Sequence, residues 1–278
     1  MTTTTRIIPA DERVTAERGA KALIVGPTGV GKTTLLRTLD LASTLFVDIE
    51  AGDLAVQDLA VDTYRPRTWP ECRDLAVFLA GANPAVPPEA VYGQAHYDAV
   101  IHELGDPKRP EYATYFVDSI TAAGRLSWAW ANQQPGAFSE RTGKPDRRSA
   151  YGIHANEMLA WAMHLQQARA INVIFVGILE TVTDDYNRTE HRLQMEGART
   201  ARELPAILDQ IITMHWIDFG DGVPTRAFVC TSPNQWGYPA KDRSGRLQQI
   251  EQPHLGKLLE KLSAKPTGGD FVELEAAQ

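Results

Sequence analysis

The chain has 278 residues, enough to bury a substantial core as one large α/β domain. An apolar fraction of 43% and a charged fraction of 23% exclude a disordered or fibrous chain. The formal charge of −7 excludes coating of nucleic acid by bulk electrostatics and leaves only local basic loops for such a contact.

The opening MTTTTRIIPADERVTAERGA is polar and lacks the apolar core of a secretion signal, which predicts a flexible arm over 1–20 and a cytoplasmic protein. No apolar run approaches the roughly twenty residues needed to cross a bilayer, so no membrane partner is expected. Cys72 and Cys230 lie far apart and read as buried free thiols. KALIV at 21–25 is short, apolar and β-rich, a strand buried on both faces. Glycines follow, and TTLLRTLDLA then predicts a helix with Leu35, Leu36 and Leu39 on one side. TLFVDIE at 44–50 is a second strand. Helices are expected through WPECRDLAVFLAG and YGQAHYDAVIHEL, separated by the turn NPAVPPEA. YATYFVD at 112–118 is a third strand, followed by a helix in SITAAGRLSWAWAN. After the loop QQPGAFSERTGKPDRRS, AYGIHANEMLAWAMHLQQARA predicts a long helix leading into the strand INVIFVGIL. After Glu180 a long polar stretch reaches about Arg202. IITMHWIDF and TRAFVCTS, around the turn GDG, read as antiparallel strands. The pattern predicts an α/β fold: a mainly parallel central sheet flanked by helices, with antiparallel strands appended at the C-terminal end. Its core spans 21–262, and 263–278 form a mobile tail.

GPTGVGKT at 26–33 satisfies the phosphate-loop pattern G-x-x-x-x-G-K-[ST] and stands between a buried strand and a helix, where the motif has meaning. Gly26, Pro27, Thr28, Gly29, Val30, Gly31, Lys32, Thr33 and Thr34 are the expected nucleotide-binding residues. Glycines let successive backbone N–H groups wrap a phosphate. Lys32 reaches for the β and γ phosphates and Thr33 offers its hydroxyl to magnesium, so ATP and Mg2+ are the expected cofactors. Asp118, at the end of its strand, is the expected magnesium-side acid, with Asp48 as its rival. Glu50 is placed to orient or deprotonate a water attacking the γ-phosphate; the alternative is a solvated loop acid. His154, His164, His191 and His215 lack metal-ligand spacing, and Trp128, Trp130 and Trp161 read as core or interface residues.

Taken in order, GPTGVGKTT, LFVDIEAGDLAV, YFVDSITAA and YPAKDRSG resemble the RecA-like recombinase core, and most closely the short phage single-strand-annealing ATPases, over roughly 20–262. The resemblance implies a RecA-like P-loop NTPase fold, with Glu50 as catalytic carboxylate, Asp118 in the Walker B strand and Ser119 after it. It also implies assembly into a ring or filament, in which Lys241 and Arg243 reach a neighbouring subunit's γ-phosphate and support catalysis there. The implied partners are single-stranded DNA, further copies of the chain and a single-strand-binding protein. By position, the DNA loops are 133–149, with Phe138, Arg141, Lys144, Arg147 and Arg148, and 181–202, with Tyr186, Arg188, Arg192 and Arg199. One departure concerns the strand INVIFVGIL: the polar γ-phosphate sensor expected at its end is missing, and Glu180 or Thr181 is left for that role.

The expected activity is therefore ATP hydrolysis coupled to annealing or strand exchange on single-stranded DNA. A RecA-fold helicase or a DNA-packaging ATPase is the alternative using the same site. A small-molecule phosphotransferase, with RTGKPDRR as an arginine lid, and a non-hydrolysing nucleotide switch are alternatives of other classes.

Overall fold

A computed structural model describes residues 7–104, 112–183, 185–220 and 222–264. Strand β1 (Lys21–Gly26) lies at the centre of a sheet, buried along its whole length. Around it are β2 (Thr44–Asp48), β3 (Asp62–Tyr64), β4 (Thr114–Asp118), β5 (Asn172–Thr183), β6 (Thr189–Leu193), β7 (Gln210–Ile217), β8 (Thr225–Val229), β9 (Lys241–Asp242) and β10 (Ile250–Glu251). The strand order is β10-β8-β7-β1-β5-β4-β2-β3, with β6 on β5 and β9 on β7. Pairing is parallel from β3 through β7. It is antiparallel where β8, β9, β10 and β6 join. This is the expected architecture, a parallel sheet with antiparallel strands at its C-terminal edge.

The α-helices of the described residues are α1 (Ala10–Thr15), α2 (Trp69–Ala80), α3 (Gln94–Leu104), α4 (Ile120–Ala131), α5 (Arg147–Gln166), α6 (Ala198–Ile207) and α7 (Leu255–Ser263). Alternation along β1 divides its side chains between two layers, as the strand period of two requires. Leu23 and Val25 join a core with Trp69, Met158 and Trp161 from α2 and α5. Ala22 and Ile24 join a second core with Leu35, Leu36, Leu255 and Leu258. In the first layer the indoles of Trp69 and Trp161 meet edge to face at 5.8 Å. Each indole N–H is satisfied, Trp69 donating to Glu157 and Trp161 to the Cys72 carbonyl. Cys72 and Cys230 are free and buried, and burial pushes each thiol up to about 12.

Several local expectations change. TTLLRTLDLA does not continue as an α-helix: a 3-10 turn over Thr33–Thr38 ends at an extended Leu39. The Thr34 and Thr38 hydroxyls donate to the carbonyls of Gly31 and Leu35, three residues back, a local pairing that competes with helical hydrogen bonds. The arm over 1–20 contains α1, which buries no side chain. The polar stretch after Glu180 carries elements among its described residues: β5 runs on to Thr183, β6 pairs with it, and α6 follows from Ala198. Helix α5 starts three residues earlier than predicted, because Asp146 accepts from the amides of Arg148 and Ser149 as its N-cap. The short edge strand β3 has no clear sequence signal. In the described part of 263–278, α7 runs to Ser263, and 265–278 lie outside the described residues. No helix is long and apolar enough to cross a membrane among the described residues.

Candidate nucleotide site

The site stands at the carboxyl ends of β1, β4 and β2. β5 separates β1 from β4, so the phosphate loop and Asp118 face each other across one intervening strand. Gly26 ends β1 where β7 passes so closely that a methyl on Gly26 would lie 2.4 Å from the Met214 carbonyl oxygen. Gly29 and Gly31 hold φ of 80° and 98°, the left-handed region that L side chains resist. These three glycines give the loop its backward bend. Lys32 folds over that bend, its ammonium donating to the carbonyls of Gly26 at 2.9 Å and Pro27 at 3.0 Å. Burial lowers the Lys32 ammonium pKa, while Asp118 and Glu50 act in the opposite direction and favour its charge.

Thr33 donates its hydroxyl to Asp118 Oδ2 at 2.5 Å, so the loop and β4 meet through the two side chains expected to serve a magnesium ion. Asp118 is only 8% exposed. Its pKa rises to about 6, chiefly through burial; the Thr33 bond and Lys32 lower it, and Glu50 and Asp48 raise it. A threonine hydroxyl beside a carboxylate is a small, hard oxygen set, which fits a cation that keeps most of its waters. Thr33 and Asp118 would hold magnesium, directly or through water.

Glu50 arrives by a separate route. The Ile49 amide donates to the Asp118 carbonyl at 2.8 Å, tying the end of β2 to the end of β4. Ala51 follows in the left-handed region at φ 52°, which turns the chain sharply after Glu50. Ser119 then donates to Glu50 Oε1 at 2.5 Å, while its oxygen accepts the Ala122 amide as the N-cap of α4. Lys32, Thr33, Asp118 and Glu50 thus form one connected cluster. Asp48, the rival magnesium acid, is instead occupied: it is 2% exposed and accepts from Arg65 Nε at 3.0 Å and the Gly52 amide at 3.1 Å. Arg65 also reaches Asp53, so Asp48 anchors the turn that presents Glu50.

Other expected site residues fall elsewhere. Lys241 and Arg243 lie by the start of β7, where Ile211 pairs with Lys241 and Leu23 pairs with Ile211, at the opposite end of the sheet from the phosphate loop. Lys241 donates to the carbonyls of Pro205 and Ala206. Arg243 donates to those of Ala206 and Ile207 and to Asp209. Both therefore cap the C-terminal end of α6, where cations are favoured. The structure does not bring them to their own subunit's phosphate loop.

Of the expected DNA residues, Arg141 and Lys144 sit in a closed turn, with the Ser139 amide bonded to the Lys144 carbonyl and the Gly143 amide to the Ser139 carbonyl. Arg147 and Arg148 begin α5. Arg188 stands over the Tyr186 ring at 5.3 Å. Arg192 pairs with Glu180, and Arg199 with Glu203 and Asn156. The Glu180 and Thr181 side chains, left as sensor candidates, turn to Arg192 and to His191. Trp128 stacks on Tyr151 at 4.2 Å, and His154 bonds Ser127 and the Glu196 carbonyl inside the fold.

Sequence reasoning missed Arg226. It lies on β8, yet a methyl on Gly31 would come within 2.7 Å of its Nη1, so its guanidinium overhangs the phosphate loop. No local motif marks that arginine; only the pairing of β8 against β7 carries it there.

A family profile described as an AAA domain matches residues 18–244. No curated protein shows significant similarity to the chain. Among solved structures, a KaiC-like protein from the hyperthermophilic archaeon Pyrococcus horikoshii is 13% identical, with a TM-score of 0.37 over 76% of this chain and 78% of that one. So loose a likeness adds nothing to the assignment. The profile spans the phosphate loop, both acids and the parallel sheet around them, and the chain belongs to the AAA-domain family, with the fold of a RecA-like P-loop ATPase.

Proposed function

We propose that the protein is a magnesium-dependent ATPase that acts on single-stranded DNA as an annealing or strand-exchange protein. One observation carries the hydrolytic half: the phosphate-loop residues Lys32 and Thr33 meet two carboxylates of different character, one buried and one exposed. Asp118 is buried against Thr33, and Glu50 is exposed and steered by Ser119. In this reading the loop amides and Lys32 bind the phosphate chain. Thr33 and Asp118 would hold magnesium, which would supply positive charge beside the phosphate oxygens. Glu50, fixed through one oxygen by Ser119, keeps its other oxygen to orient a water and take its proton. The buried carboxylate is suited to holding a cation and the exposed one to exchanging protons with solvent.

The DNA half rests on the resemblance of LFVDIEAGDLAV, YFVDSITAA and YPAKDRSG to phage annealing ATPases, and on the cations of the two loops. Lys241 and Arg243 serve a neighbouring subunit in this proposal, which requires their release from the α6 carbonyls. ATP hydrolysis measured with and without single-stranded DNA tests both halves. Stimulation that fades with rising salt is expected, because cations on phosphates release counterions. Absence of hydrolysis overturns the first half, and hydrolysis indifferent to DNA overturns the second. Directional duplex unwinding would identify a helicase instead.

A further inference from the structure

The β7–β8 hairpin brings two side chains to the phosphate loop that the hydrolytic cluster does not use. β7 runs parallel to β1, with Thr213 in register with Val25 and Met214 closing on Gly26. Met214 and Phe228 belong to the apolar layer that contains Val30, Leu35 and Leu36. Residues two apart on a strand share a face. Trp216 and Arg226, direct cross-strand partners, therefore project from that same layer just beyond its edge. The Arg226 guanidinium stands 5.5 Å from the Trp216 ring centroid and overhangs Gly31. Trp216 is 49% exposed, a large apolar surface for an indole to leave open, and Arg226 is the cation over its ring.

The acids fix which way a triphosphate must run. Asp118 and Glu50 lie on the β4 and β2 side of β1, so a γ-phosphate facing them turns the α-phosphate the other way. That way lead β7 and β8, and the sugar and base leave the loop along the hairpin. We propose that Trp216 and Arg226 form the subsite for the nucleoside end of the bound nucleotide. Arg226 meets the α-phosphate end of the chain as it passes Gly31, and the indole of Trp216 stacks on the base. This inference rests on the reading that the loop takes a nucleoside triphosphate.

Calorimetric titration with Mg-ATP and with magnesium tripolyphosphate, which has the phosphates but no base, tests it. Trp216→Ala is expected to weaken Mg-ATP about tenfold or more, the scale of one base–aromatic stack, and to leave tripolyphosphate within about twofold. Trp216→Phe restores most of the Mg-ATP affinity. Arg226→Ala weakens both ligands. The inference is overturned if Trp216→Ala binds Mg-ATP like the wild type, including the case where it alters only self-association. It is overturned too if Trp216→Ala and Trp216→Phe lose both ligands equally, which marks damage to the loop. A wild-type protein that takes up neither ligand instead removes the nucleotide reading beneath it.

Discussion

Replacing Asp118 by asparagine should make the ligand-free protein more stable and the nucleotide-bound protein less so. The carboxyl is 8% exposed and its pKa stands at about 6 against an ordinary 3.8. At about 1.4 kcal/mol per tenfold change in proton affinity, keeping that group ionised costs the fold up to about 3 kcal/mol near neutral pH. Between about pH 4 and pH 6 the folded carboxyl holds a proton that the unfolded chain has released. Stability therefore falls as pH climbs through that window and stays low above it. Asparagine carries no charge, and its amide oxygen still accepts the Thr33 hydroxyl. Urea unfolding in chelator at pH 8 should show Asp118→Asn ahead by about 1 to 3 kcal/mol, with the gap closing below about pH 4. Mg-ATP at a thousand times its Kd should reverse the order, since it adds about 4.1 kcal/mol to the protein that binds it and less to a variant lacking the magnesium-side carboxylate. A variant no more stable than the wild type at pH 8 without ligand would refute the argument that burial strains this carboxylate.

Lys32→Ala is expected to abolish Mg-ATP uptake in calorimetry while leaving the fold intact by circular dichroism. Glu50→Gln should lower turnover by about a hundredfold or more, the usual scale of a lost general base, with Mg-ATP affinity retained in the same titration. Arg65→Ala leaves the buried Asp48 carboxylate without its cation and should lower the midpoint of urea unfolding, with turnover falling as the Glu50 turn loosens.

The motif at 26–33 and the strand ends at Asp48 and Asp118 were legible because each is local: a run of apolar residues followed by glycine or acid. The alternation of strands and helices likewise yielded the parallel sheet and its antiparallel edge. What could not be read depends on distant partners. The hairpin β5–β6 hides in a polar stretch because its residues pair mainly with each other at the rim. The helix expected after Thr33 fails because its threonines back-bond locally. Asp48 and Asp118 both end apolar strands, and only their partners tell them apart: Arg65, arriving from beyond β3, and the Gly52 amide hold Asp48, whereas Asp118 meets Thr33. Arg226 reaches Gly31 through a register no window of sequence contains.

The last described helix, α7, is fastened to the segment that carries Thr33. The Leu255 amide donates to the Thr38 hydroxyl, Gly256 lies close enough that a methyl there would sit 2.7 Å from the Thr38 carbonyl, and Leu255 and Leu258 cover Leu35 and Leu36. Helix α7 is thus a buttress beneath the segment that follows the phosphate loop, so loosening its hold on Thr38 would loosen the footing of Thr33 as well.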